Sequence, residues 1–192
     1  MVKDKSLGKD VALSSIFLNL VIFLVKGLVA LHIGSLALLS DSVHTFSDSA
    51  SSLAVYLGLK ISEKPPDETH PFGHGRAEHV ALLAVGIILL VTALKFLSDG
   101  ITSLLTGPER VEITRLLYLV IFSTAVAKEV MAEVSYYVGK KENSDPLKGD
   151  AWHHRSDAIT TMVVIAGIYG SEMGYSVLDP LVGIGIAGLL GY

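Results

Sequence analysis

The chain has 192 residues, 51% of them hydrophobic and 18% charged, with a formal net charge of -4 and a mean hydropathy of +0.55. That is the length of one ordinary domain but not the composition of a soluble one. The absence of cysteine excludes disulfides and thiolate ligands, so any metal must be held by imidazole, carboxylate or water; an acidic balance without a long Lys/Arg cluster excludes nucleic acid as a partner.

The first ten residues mix Lys3, Lys5 and Lys9 with Asp4 and Asp10. The apolar run behind them is long enough to span a bilayer and is followed by no small-residue cleavage pattern, which argues against a removed signal peptide. A span needs about 20 mostly apolar residues. By that measure the sequence predicts an all-α membrane protein of six helices, over 11–31, 34–60, 79–105, 113–138, 149–171 and 177–192. The last run reaches Tyr192 while still apolar, so a longer natural chain is expected.

Short cytoplasmic segments carry the excess of Lys and Arg. Lys3, Lys5, Lys9, Lys60, Lys64, Arg76, Lys140, Lys141 and Lys148 fall on one side of such a bundle, against Arg110 and Arg115 on the other. Both termini are therefore expected in the cytoplasm. Residues 11–105 and 113–192 then read as two three-helix halves of opposite topology, an arrangement from which transporters build a central site.

Within the second run stands Ser40-Asp41-Ser42-Val43-His44-Thr45-Phe46-Ser47-Asp48, and the fifth repeats the spacing as Asp150-x-x-His153-x-x-Ser156-Asp157. In a helix, residues four apart share a face, so His44 with Asp48, and His153 with Asp157, each offer an imidazole and a carboxylate to one ion. The first pair falls roughly 15 to 20 Å along its helix, near the middle of a hydrocarbon core about 30 Å thick. Charged groups at that depth persist only when paired, metal-bound or facing water. Two nitrogens and two oxygens in a tetrahedron suit zinc, and two carboxylates cancel the charge of a divalent ion; cobalt, cadmium, iron and manganese remain open. The bland alternative, polar groups that merely join helices, does not call for the same spacing twice at that depth. His154 lies three residues before Asp157, out of register with the repeat, and is read as supporting the ligands. The inverted repeat places Asp41 one turn outside the site and Asp150 one turn inside it, as vestibule carboxylates; helix capping or solvation accounts for Asp150 at least as well.

In the loop before the third helix, Asp67, His70 and His74 can close on a second metal at the cytoplasmic surface, with Gly73 and Gly75 permitting a tight turn. The same spacing also suits a polar loop that only begins a helix. Lys95 and Asp99, four apart, read as a salt bridge. Lys26, Lys128, Glu129 and Glu133 read as structural ion pairs or groups reaching for an interface, one of the acids being a candidate proton carrier. Asp179-Pro180 is expected to start the last helix, with Asp179 as its cap. No H-E-x-x-H, G-x-S-x-G, phosphate loop or thiol points to an enzyme. A membrane-embedded metal hydrolase needs an open coordination position, which four protein ligands do not leave.

On these residues the chain resembles the cation diffusion facilitator family, proton-coupled exporters of divalent transition metals that include the zinc transporters. The resemblance covers the chain as that family's six-helix membrane domain. It rests on the stretches Ser40 to Asp48, His70-Pro-Phe-Gly-His74-Gly-Arg76-Ala-Glu78 and Asp150 to Asp157. It implies that His44, Asp48, His153 and Asp157 form the transport site, that Asp67, His70 and His74 match a cytoplasmic-surface site, and that two copies form a homodimer. The family's usual cytoplasmic C-terminal domain is not among these 192 residues. An HxxxD pair in both motifs resembles the zinc-preferring branches. The function implied is Zn2+ export from the cytoplasm across a prokaryotic plasma membrane in exchange for protons, by a transporter and not an enzyme.

Overall fold

The computed structural model describes residues 6–62, 65, 69, 71–108 and 110–190. Among them are six helices and no strand: α1 (Ser6–Ile33), α2 (Leu36–Ser62), α3 (Ala77–Thr106), α4 (Arg115–Glu142), α5 (Asp145–Glu172) and α6 (Leu178–Leu190). The chain is all-α, as its long apolar runs predict. The breaks between helices have local causes. Gly34, with φ of 68°, ends α1 in a conformation that favours glycine. Asn143 ends α4 in the left-handed region, and its backbone N–H bonds to the Gly139 carbonyl. Thr114 caps α4 by accepting from the Leu117 amide at 3.4 Å.

Asp179 does not cap its own helix. Although it lies in the first turn of α6, its carboxylate reaches across to the N-terminus of α2. There it accepts from the Leu36 amide at 2.8 Å, the Ala37 amide at 3.4 Å and the Ser35 hydroxyl at 2.5 Å. Ser35 in turn accepts from the Leu38 amide at 3.1 Å. The start of α2 is buried, so its free N–H groups have no water to turn to and take an acid from a neighbouring helix instead.

The two halves pack by counterpart: α1 against α4, α2 against α5 and α3 against α6, with α1–α2 and α4–α5 also adjacent. Helices α2 and α5 run antiparallel, because Asp41 meets Thr161, His44 meets Asp157 and Asp48 meets His153. Close approach of α6 depends on small residues. A Cβ on Gly183 would lie 3.2 Å from the Ala37 amide nitrogen, and one on Gly170 would collide with Leu178.

The distribution of side chains is inverted relative to a water-soluble fold. Leu13, Phe17, Leu28, Leu31, Ile88 and Leu119 are among many large apolar side chains on the outside, while Lys26, Ser40, Asp41, Ser42, Thr45, Lys128 and Thr161 are buried. Such a surface is at ease in an apolar surrounding, with a layer of polar residues gathered in the interior. By length and apolar composition two stretches qualify clearly as spans, Leu13–Ile33 in α1 and Gly86–Thr106 in α3, while Leu178–Leu190 is shorter. That is fewer than the six predicted, and the reason is visible in the packing. Helices α2, α4 and α5 carry the Ser, Thr, Asp, His and Lys residues that face one another inside, which lowers their hydropathy.

A cluster of Val29, Ala30, Ala37, Leu38, Val111, Ile121, Val164, Ile168 and Ile186 fills one end of the bundle. The polar layer lies next to it, toward the middle of the helices.

Candidate metal centre

Helix periodicity alone brings His44 and Asp48 to one face of α2, and His153 and Asp157 to one face of α5; the antiparallel packing then sets the faces against each other. His44 Nε2 lies 3.6 Å from Asp157 Oδ1, and His153 Nε2 lies 3.1 Å from Asp48 Oδ2 and 3.7 Å from Asp157 Oδ2. The two imidazole rings are 6.3 Å apart, centroid to centroid. One ligand atom each from His44, Asp48 and Asp157 falls within 4.8 Å of the others. Ligands of a tetrahedral zinc stand about 3.3 Å from one another, from bonds of about 2.0 Å. Side-chain movement of an ångström or so therefore brings this set to coordination distance. His44 Nδ1 is buried with no hydrogen-bond partner among the described residues, as is Asp41 Oδ1, whereas buried polar atoms are as a rule paired.

Exposure is uneven around the site. The Asp157 side chain is buried, whereas that of His153 is 42% exposed. His154 turns away from the four. It is buried, and its Nε2 lies 3.2 Å from Asp150 Oδ2, which also accepts from the Ser135 hydroxyl at 3.1 Å. The expected supporting position of His154 is thus a pairing with Asp150, not with a ligand. Asp150 itself is about a third exposed, at 36% of its side chain.

On the opposite flank Asp41 is not an open vestibule carboxylate. Lys26 Nζ sits 2.8 Å from Asp41 Oδ2 and donates to Thr161 Oγ1, also at 2.8 Å. Thr161 Oγ1 lies 2.9 Å from the Asp157 carbonyl, so this buried triad adjoins the site. A second lysine enters the site itself. Lys128 Nζ is 2.6 Å from Asp157 Oδ2, and its side chain is fully buried. Of the two alternatives the sequence offers for these lysines, ion pairing is the one found; what it did not show is that the partners are Asp41 and Asp157 and that both pairs are buried. Lys128 stands in the middle of α4, too far from either helix end for its ammonium to reach an interface, and that depth alone calls for a buried carboxylate partner.

Glu129 and Glu133 are on the outer side of α4. Arg155 holds both, with its Nε at 2.9 Å from Glu129 Oε1 and its Nη2 on Glu133. Lys95 and Asp99 form the expected pair at 2.9 Å, exposed on α3. Of the three loop residues, Asp67 and His70 lie outside the described residues. His74 is half-buried in the turn that leads into α3, beside Gly73 at φ 81°, and its carbonyl accepts from the Ala77 amide at 2.9 Å.

An apolar exterior around two antiparallel copies of one carboxylate–imidazole motif is the arrangement of a membrane protein with a polar interior. The description "cation efflux transmembrane domain" matches residues 12–192, and the chain belongs to that family, the cation diffusion facilitators. It is a family of membrane transporters, not of enzymes. Over 173 residues the chain is 36% identical to an uncharacterized transporter of Methanocaldococcus jannaschii, covering 90% of this chain and 61% of that protein. It is 35% identical to the magnetosome protein MamB of Magnetospirillum gryphiswaldense, over 88% of this chain and 57% of MamB. It is 34% identical to the manganese efflux system protein MneP of Bacillus subtilis, over 91% of this chain and 59% of MneP. The chain thus spans less than two thirds of the length of these relatives.

Proposed function

We propose that the chain is the membrane domain of a secondary transporter that moves a divalent transition-metal cation out of the cytoplasm in exchange for protons. The observation that carries this is the convergence of His44, Asp48, His153 and Asp157, two pairs from antiparallel helices, inside a bundle whose outside is apolar. A permanent structural ion would be served by a closed site. Here one ligand, His153, has an exposed side chain, and the polar layer gives way to apolar side chains only on the side where α2 begins. By the distribution of Lys and Arg, the end where α2 finishes and α5 begins is cytoplasmic and so are both termini, with all six helices crossing the bilayer. The site then faces inward, ready to load.

Coupling to protons follows from the ligands. An imidazole must be neutral and a carboxylate ionised to hold a metal, so metal entry releases protons and proton entry releases metal. Two imidazoles and two carboxylates favour zinc as the cargo. Manganese is the second reading, supported by the names of two relatives, the manganese efflux proteins MneP and MneS of Bacillus subtilis, the latter 30% identical over 95% of this chain. A surface site at Asp67, His70 and His74 and assembly of two copies belong to the same proposal.

Proteoliposomes with an imposed pH gradient test it. Flux of Zn2+ or Mn2+ against the gradient, lost in Asp48→Ala, is the expected result, with parallel titrations ranking the two ions. Saturable binding without flux would refute transport by this chain.

A further inference from the structure

Resting on that reading of the site, we propose that Lys128 is a tethered competitor for the transported cation, holding Asp157 when metal is absent and weakening metal binding enough for release. Asp157 presents one oxygen to each imidazole. Oδ1 faces His44 at 3.6 Å and Oδ2 faces His153 at 3.7 Å. The Lys128 ammonium sits on Oδ2 at 2.6 Å, so the side of Asp157 that an ion would share with His153 already holds a positive charge. A charge-assisted hydrogen bond of that length in a buried setting is strong. An arriving ion must displace the ammonium, or bind beside it and bear the repulsion.

The charges in the polar layer give the sign of the effect. Lys26 and Asp41 cancel each other at 2.8 Å. With neutral imidazoles, what remains is Asp48 and Asp157 against Lys128, a net charge of minus one. A divalent ion turns that into plus one. Without the Lys128 charge the same ion would meet minus two and be neutralised in full. A like charge a few ångströms from a divalent ion weakens its binding steeply at protein-like dielectric. A site of four good ligands would otherwise hold transition metal too firmly to deliver it, so a charge carried on a flexible side chain provides a reason for the ion to leave.

The contact also explains why a lysine is buried here. A lysine that only neutralised Asp157 would make the carboxylate useless as a ligand, and a site without it would leave the buried Asp157 with only the two imidazoles beside it, at 3.6 and 3.7 Å.

The test is Zn2+ and Mn2+ affinity of purified wild type, Lys128→Met and Lys128→Arg, with flux in proteoliposomes. Lys128→Met is expected to bind about 100-fold more tightly, on the order set by loss of one nearby like charge, and to transport with lower KM and lower maximal rate. Lys128→Arg, which keeps the charge, should stay within about tenfold of wild type. A purely structural lysine gives the opposite pattern, with Lys128→Met binding equally or more weakly, and that result overturns the proposal. A measurement on wild type covers the event that the variants do not fold. With lysine side chains labelled by 15N, saturating Zn2+ should shift the Lys128 ammonium signal and leave Lys26 unchanged; an unmoved Lys128 signal is equally fatal. Wild type that shows no saturable binding at all sinks the metal-site reading, whereas wild type that binds normally beside an unimproved Lys128→Met sinks only the role given to Lys128.

Discussion

Removing the carboxylate of Asp157 separates what that residue does for stability from what it does for cations. Lys128 Nζ lies 2.6 Å from it and has no exposed surface, so Asp157→Ala leaves a buried ammonium without its counter-charge. Breaking a buried pair from one side costs about 3 to 5 kcal/mol, which is roughly a 100- to 4,000-fold change in the folding equilibrium. Removing both partners is a different perturbation. Asp157→Ala with Lys128→Met takes away two desolvated charges together and replaces them with apolar volume, a change that is often neutral. The two substitutions should therefore couple by at least about 2 kcal/mol in a double-mutant cycle. Unfolding in mixed micelles, followed by circular dichroism, supplies the stability readings, and Zn2+ titration supplies the affinities. Asp157→Ala is expected to be unstable and unable to bind, and the double variant stable and still unable to bind, since the oxygens facing His44 and His153 are gone in both. If the single and double variants unfold at the same denaturant concentration, the ion pair does not hold the polar layer together and the reasoning from burial is wrong.

Asp179→Ala removes the acceptor for the Leu36 and Ala37 amides and the Ser35 hydroxyl at the start of α2. A loss of about 1 to 2 kcal/mol is expected, with Zn2+ affinity unchanged because His44 lies more than two turns further along α2; weakened binding at unchanged stability would contradict this. Lowering the pH from 7.5 to 5.5 should weaken metal binding, since two imidazoles that titrate near about 6.5 when free must both be neutral to act as ligands. The expected slope approaches about two decades of affinity per pH unit on the acid side, and a flat isothermal titration series would remove the imidazoles from the ligand set.

The four central residues were legible because helix geometry is local: a spacing of four fixes a shared face before any tertiary contact is known. Their meeting was legible for a second reason, the up-and-down order of the helices, which separates α2 from α5 by three reversals, sets them antiparallel and so lays His44 against Asp157 and Asp48 against His153. What the sequence hid is tertiary. The Asp-Pro pair at 179–180 has the form of a helix start, and α6 does start there, but its acid serves α2, 143 residues away in sequence. Lys128 belongs to the same class, since its partner Asp157 is on the next helix. The apolar criterion also weakens where it matters most, because a helix that builds a polar interior must give up hydropathy to do so, as α2, α4 and α5 do.

The inverted repeat suggests that Asp41 and Asp150 are equivalents, but the structure gives them unequal chemistry, and the inequality bears on which way the site opens. Parting the helices on the Asp41 side means separating a buried ion pair at 2.8 Å, freeing Thr161 and disrupting the apolar cluster beyond it. On the Asp150 side the contacts are with His154 and the Ser135 hydroxyl, at 3.2 and 3.1 Å, and the carboxylate already has surface exposed. Separating a desolvated pair of full charges is the costlier step. The resting conformation should therefore open past Asp150, and a state open past Asp41 needs compensation for the Lys26–Asp41 pair. A bound divalent ion is placed to supply it. On the reading proposed for the site, neutralising Asp48 and Asp157 lets those two acids draw α2 and α5 together around the ion at the Asp150 end, and two antiparallel helices that close at one end around a fixed crossing open at the other.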